Sequence, residues 1–230
     1  MKVGIIGAME EEVQILRNKI IKRKEISLAG RAIDTGELHG VEIFLLKSGI
    51  GKVSAALWTT LLLYIYTPNI IINTGAAGGL ISKLKIGDVI ISDEVRYYDA
   101  NLTAHGYQLG QIPGHPVSFK ADNTLIKVAE LCVNKLNMFS VRGLVISGDT
   151  FINSTKKLQN IVNSFSTAIA VDMESASIAH VCHQFSTPFI IVRSISDAAN
   201  VSAQESFDNF LKTAAQRSSL VVENMLAHLY

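Results

Sequence analysis

Short unbroken apolar runs alternate along this chain with stretches in which apolar residues recur at helical spacing. Val3-Gly4-Ile5-Ile6-Gly7 predicts a buried strand. A helix is predicted from about Glu10, where Met9, Val13, Leu16 and Ile20 share a face and Glu10, Glu11 and Glu12 sit in the first turn. Residues 32–38 and 41–47 predict a strand pair around His39-Gly40. The apolar stretch 51–66 predicts a helix ended by Pro68. Ile70 to Thr74 reads as a buried strand running into Gly75-Ala76-Ala77-Gly78-Gly79, and Val89 to Ile91 as another after the turn at Gly87-Asp88. Over 96–120 the pattern breaks, with several aromatic residues, three glycines and two of the four prolines. A loop of that length usually carries function or an interface. Helices at about 122–136, 155–163 and 174–184 then interleave with strands at 141–147, 168–171 and 189–195, and a last helix runs from about Ser206 to the C-terminus.

Strands separated by helices predict an α/β domain with a largely parallel sheet covered on both faces. The 230 residues suit a single domain, 1–230. With 48% hydrophobic residues and a mean hydropathy of +0.29, there is ample material for a core. The near-balance of 21 basic and 20 acidic residues argues against a nucleic-acid footprint. No apolar run is long enough to span a membrane. The N-terminus carries no secretory leader pattern, and two cysteines, Cys132 and Cys182, fit a reducing cytoplasm.

On such sheets ligands bind beyond the carboxyl ends of strands, so those residues hold the candidate chemistry. Gly4-Ile5-Ile6-Gly7 lacks the third glycine of a dinucleotide fingerprint, and the three acids after it would repel a pyrophosphate. Glu12, flanking the apolar stripe, is either a solvated helix-terminus acid or a partly desolvated general base. The run 75–79 is either a tight strand-to-helix turn or a place where backbone approaches a ligand, and it is not a P-loop. Phe151, after Ser147-Gly148-Asp149-Thr150, is a core residue or a stacking surface for a planar base. Asp172 and Glu174 bracket Met173 at a strand-to-helix junction, as an N-cap or as acceptors for two adjacent hydroxyls. Asp197, at the end of Arg193-Ser194-Ile195-Ser196-Asp197, sits against an apolar strand and must pair with a cation or hold a proton. His180, Cys182 and His183 invite a metal reading, but the two histidines share a helix face with Ala176 and Ala179 and read as packing residues, so no metal is expected.

Five of these stretches in this order, Gly-Ile-Ile-Gly-Ala-Met-Glu-Glu-Glu, Asn-Thr-Gly-Ala-Ala-Gly-Gly, Ser-Gly-Asp-Thr-Phe-Ile-Asn, Asp-Met-Glu-Ser-Ala and Arg-Ser-Ile-Ser-Asp-Ala, resemble the 5′-methylthioadenosine/S-adenosylhomocysteine nucleosidases over essentially the whole chain. The resemblance implies a three-layer α/β/α nucleoside-phosphorylase-like fold with a mixed, largely parallel twisted sheet, a homodimer, and neither metal nor cofactor. It also implies Glu12 as the base that activates water and Asp197 as the acid at adenine N7. Glu174 would hold the ribose hydroxyls, with Met173 against the sugar. Phe151 would stack on adenine, and the Ile152 backbone would read its edge. Arg193 would help place the water, with Gly78 and Ser196 also at the substrate. Met9, Ile50 and Phe207 would line the 5′-alkylthio pocket, together with Leu102, His105 and Pro113 of the partner subunit. Three positions depart from the resemblance: Ala76 stands where many relatives carry Ser, Asp172 where Glu is commoner, and His105 where Phe is frequent. The competing readings are a phosphate-dependent nucleoside phosphorylase and a non-catalytic nucleoside sensor. Neither the acidic first loop nor Asn73-Thr74-Gly75-Ala76 suits phosphate, which needs cationic and hydroxyl donors.

Overall fold

The computed structural model describes residues 1–199 and 203–229. The first half runs β1 (Lys2–Gly7), α1 (Glu10–Arg17), β2 (Ile21–Leu28), β3 (Arg31–Leu38), β4 (Val41–Lys47), α2 (Lys52–Tyr66), β5 (Ile70–Gly79) and β6 (Val89–Tyr97). A single turn of 3₁₀ helix (Thr103–His105) interrupts the irregular segment that follows. Then come β7 (Phe119–Lys120), α3 (Asn123–Lys135), β8 (Ser140–Ser147), α4 (Thr155–Ser164), β9 (Ala168–Asp172), α5 (Ser175–Gln184), β10 (Phe189–Asp197) and α6 (Ala203–Leu226). Among the described residues no helix is long and apolar enough to cross a membrane.

All ten strands belong to one mixed sheet, ordered β10-β6-β8-β9-β5-β1-β4-β3-β2, with β7 on β6. Because β10 also pairs with β5, the strands β5, β10, β6, β8 and β9 close into a ring, from which β1, β4, β3 and β2 extend. Pairing is parallel along β4-β1-β5-β10 and along β6-β8-β9. It is antiparallel at β10-β6, β5-β9, β6-β7 and the β2-β3-β4 meander. Helices α1, α3 and α6 pack on one face and α2 and α5 on the other, giving three layers. Strands β5 and β10 are buried along their whole length, which accounts for the apolar runs Ile70-Ile71-Ile72 and Phe189-Ile190-Ile191-Val192 that open them. A second, smaller cluster of Leu144, Ile146, Ile161, Phe165 and Val171 packs under α4.

The structure corrects several expectations. Strand β2 has no counterpart in the apolar pattern, because its IKRKEISL sequence is exposed on nearly every residue. The glycine run 75–79 is no turn: it continues β5 to Gly79, and no helix follows before β6. Strand β6 extends to Tyr97, so the irregular stretch is 98–118. The last helix begins at Ala203 and ends at Leu226, and the expected C-terminal residue Tyr230 lies outside the described residues.

Candidate active site

The carboxyl ends of β1, β4, β5, β9 and β10 converge on a cavity of about 250 Å³. It is lined by Met9, Glu12, Ile50, Gly78, Phe151, Met173, Glu174, Ser196, Asp197 and Phe207 among others. Ten of the predicted site residues are thus brought to one place, from seven segments of the chain. Ala8, Ala77, Val171 and Gln204 also line it. Ala8 and Ala77 fall within stretches singled out in the sequence, whereas no signal marked Val171 or Gln204.

Glu12 is buried because α1 starts directly after β1 and turns this residue inward beside Val13. Its Oε2 accepts hydrogen bonds from the amides of Ala8 (2.6 Å) and Met9 (3.0 Å), and its Oε1 from the amide of Ala76 (2.9 Å). Burial pushes its pKa up, and nearby Arg193 and these three donors only partly offset that. The Ala76 departure leaves this contact intact, because the group used is the backbone N–H. A Cβ on Gly75 would land on the Glu12 carboxylate and the Arg193 guanidinium. That steric demand is why the strand carries glycine at this point.

Arg193, expected to help place the water, is wholly buried and lies behind the cavity wall rather than on it. Its Nη2 lies 2.8 Å from Asp172, 3.3 Å from Glu174 and 2.9 Å from the Asn73 amide oxygen, while its Nη1 lies 3.7 Å from Glu12. Both terminal nitrogens of the guanidinium are thus engaged behind the carboxylates, while its Nε is buried without a partner. Burial opposes its charge, but Asp172, Glu174 and Glu12 outweigh that and raise its pKa. Asp172 also accepts from Ser147 Oγ, Ser175 Oγ and the amides of Glu174 and Ser175. The shorter Asp side chain therefore still caps α5 and pairs with Arg193.

Glu174 accepts from the Gly51 amide at 2.9 Å, and burial raises its pKa well above the ordinary carboxylate range. Asp197, on the opposite wall, accepts from Ser196 Oγ (2.9 Å) and the Ala199 amide (2.8 Å). Burial again raises its pKa, favouring a retained proton. Phe151 and Phe207 meet edge-on with centroids 5.7 Å apart. Ile152 lines a small adjoining cavity with Gly78, Phe151 and Asp197 rather than the main one. Leu102, His105 and Pro113 do not reach the cavity of their own chain, and His105 and Pro113 are exposed.

The electrostatics favour a cation. Glu12, Asp172 and Glu174 share the single Arg193, so acids outnumber cations here, and among the described residues no Lys, Arg or His lines the cavity. A phosphate would find no cationic donor there, whereas a sugar developing positive charge would be stabilised.

Known proteins resemble this chain over nearly its whole length. A family model described as the phosphorylase superfamily matches residues 2–227. The chain is similar to a 5′-methylthioadenosine/S-adenosylhomocysteine nucleosidase from Colwellia psychrerythraea solved with adenine, at 43% identity and a TM-score of 0.98, covering 100% of this chain and 96% of that one. It is similar to the Neisseria meningitidis nucleosidase of the same description in complex with methylthio-immucillin-A, at 41% identity and a TM-score of 0.97, covering 99% of each. It is also similar to a futalosine hydrolase of Helicobacter pylori, at 35% identity and a TM-score of 0.95, covering 99% of this chain and 98% of that one.

Proposed function

The chain belongs to the phosphorylase superfamily and, within it, to the 5′-methylthioadenosine/S-adenosylhomocysteine nucleosidases, and on that premise we propose how its site works. The protein is an N-glycosyl hydrolase that cleaves these nucleosides to adenine and the 5-thioribose product. The observation that carries the mechanism is the placement of two buried acids with raised pKa, Asp197 and Glu12, in one cavity with no cation on its wall. Asp197 donates its proton to N7 of adenine as the C1′–N9 bond breaks, so the base leaves neutral. Glu12 takes a proton from the water whose oxygen bonds to C1′. Its three backbone donors fix the carboxylate in place. Glu174 accepts from the ribose hydroxyls, and Arg193 holds Glu12 and Glu174 in register from behind. Excess negative charge favours the oxocarbenium-like transition state. Phe151 supplies a face for adenine, Ile152 its backbone, and Met9, Ile50 and Phe207 receive the 5′-alkylthio group.

The acceptor is water. Adenine release from methylthioadenosine in phosphate-free buffer is the expected result. A requirement for phosphate would make the protein a phosphorylase, and binding without release would make it a sensor.

The active form is a dimer in which Leu102, His105 and Pro113 of the partner subunit close the 5′ end. Two features support this reading: α2 leaves Val53, Leu57, Tyr64 and Ile65 exposed, and the irregular segment 98–118 holds its three candidate residues away from its own cavity. The continuous sheet supports one domain spanning 1–230, and buried unpaired Cys132 and Cys182 support a cytoplasmic setting.

A further inference from the structure

Beyond the 5′ end of the cavity stands a guanidinium that the mechanism does not use. The backbone leads to it step by step from the ribose side. The Gly51 amide donates to Glu174, the adjacent Ile50 lines the cavity at its exposed rim, and Gly49 comes next. Gly49 is pinned by its amide, which donates to the Ala8 carbonyl at 3.0 Å. A Cβ on Gly49 would lie 2.7–3.2 Å from the two terminal nitrogens and the central carbon of the Arg31 guanidinium, so that group rests against the backbone beside Ile50.

Arg31 is half-buried, and among the described residues it has no carboxylate partner. Its own contacts are the Lys47 carbonyl at 3.4 Å and the ring of buried Trp58, 5.7 Å from the guanidinium carbon. Neighbouring cations are neutralised: Arg17 and Arg23 share Asp34, and Lys47 pairs with Glu10. A second cavity of about 520 Å³ borders this corner, its charged lining being Arg17, Arg23, Arg31 and Lys47 against Glu10 and Glu25. Counting Asp34, which Arg17 and Arg23 share, the corner holds four cations against three acids, and the cation in excess is Arg31.

We propose that Arg31 forms an anion subsite that binds the α-carboxylate of an amino-acid chain carried on the 5′-sulfur. This rests on the nucleosidase reading and refines it. S-adenosylhomocysteine has such a carboxylate, whereas methylthioadenosine ends in a methyl group. Arg31 therefore discriminates between the two substrates of one site. The planar guanidinium, held near the Trp58 ring and the Lys47 carbonyl, offers a forked donor for a carboxylate, and the partial burial strengthens the pairing.

The test is the ratio of kcat/KM for S-adenosylhomocysteine to that for methylthioadenosine, in wild type, Arg31→Met and Arg31→Lys. A hydrogen bond to a charged group implies that Arg31→Met lowers the ratio about tenfold or more, with Arg31→Lys between. The methyl ester of S-adenosylhomocysteine, which lacks the carboxylate charge, should be a poorer substrate than the free acid for wild type and an equal one for Arg31→Met. An unchanged ratio, or an ester penalty that survives in Arg31→Met, overturns the subsite while leaving the hydrolase in place. Equal losses on both substrates also overturn it, since Arg31 would then act on folding or on the shared pocket. Failure of the wild type to release adenine from either nucleoside is instead the failure of the nucleosidase reading itself.

Discussion

At the scale of single residues, burial is the physical cause of the chemistry. Asp197 is 3% exposed, and the cost of a charge in that wall raises its pKa. Asp197→Asn is expected to slow adenine release by ~10²–10⁴-fold, because the amide has no proton to give N7. The same substitution carries a stability signature with a definite sign. A group whose pKa is raised on folding stabilises the protein while protonated, and that contribution is lost as pH rises through the raised value. Asn cannot ionise, so the melting temperature of Asp197→Asn should exceed that of wild type on the alkaline side and converge with it towards acid. A melting difference independent of pH would show that Asp197 is not a proton-holding acid. Gly75→Ala tests the opposite wall. With φ +149° and Glu12 and Arg193 occupying the place of a Cβ, the methyl group must displace the carboxylate. Circular dichroism should still report a folded chain, while turnover collapses; an active Gly75→Ala enzyme would remove Glu12 from the reaction.

At the scale of elements, a clasp joins the two ends of the site. The Lys52 amide at the start of α2 donates to Asp149 at 2.7 Å, Lys52 Nζ pairs with Asp99 at 2.7 Å, and the Asp149 amide donates to Asp99 at 3.0 Å. Tyr98 adds a hydrogen bond to the Thr150 carbonyl. The clasp ties the loop bearing Phe151 to Gly51, whose amide orients Glu174. Half-exposed ion pairs alone are worth only about 0–1 kcal/mol, so its value lies in geometry. Asp149→Ala is expected to remove ~1 kcal/mol of helix capping and to lower kcat/KM. Asp149→Asn, which still accepts from Lys52, should retain most of both. Wild-type kcat/KM in Asp149→Ala would sever the clasp from the site. Elements with strong side-chain patterns, such as β1, α2, β8 and β10, were legible in the sequence within a few residues. Strand β2 was not, because Lys22-Arg23-Lys24-Glu25 buries neither face, and the extension of β5 was not, because glycine and alanine give no periodicity. Likewise Glu12, Glu174 and Asp197 were legible as acids at strand ends, whereas the engagement of Arg193 with three carboxylates depends on contacts far apart in sequence.

At the scale of the whole molecule, the decisive features are non-local: the pairing of β10 with β5 that closes the ring, and the surface left for a second copy. The aromatic and apolar content of the irregular segment was expected to mark an interface, but half of it serves its own subunit. Ile112 packs on the main core, and Tyr98 and Leu109 pack on the smaller one, while Tyr97 belongs to β6 and is buried. The stronger signal is on α2 and its approach. Ile50 is 55% exposed, Val53 79%, Leu57 53% and Tyr64 76%, an apolar stripe at helical spacing that starts at the rim of the cavity. A second copy seated on this stripe would cover the 5′ end of the site and bring Leu102, His105 and Pro113 of the partner subunit within reach of the alkylthio group. Leu57→Arg places a charge in the middle of the stripe and outside the cavity. Sedimentation velocity should then report monomers. The KM for methylthioadenosine should rise while the fold persists, because the pocket loses its cover and its acids remain. Charged substitutions at Leu102 and Pro113 should raise KM in the same way. A Leu57→Arg monomer with wild-type kcat and KM would show that each chain completes its own site.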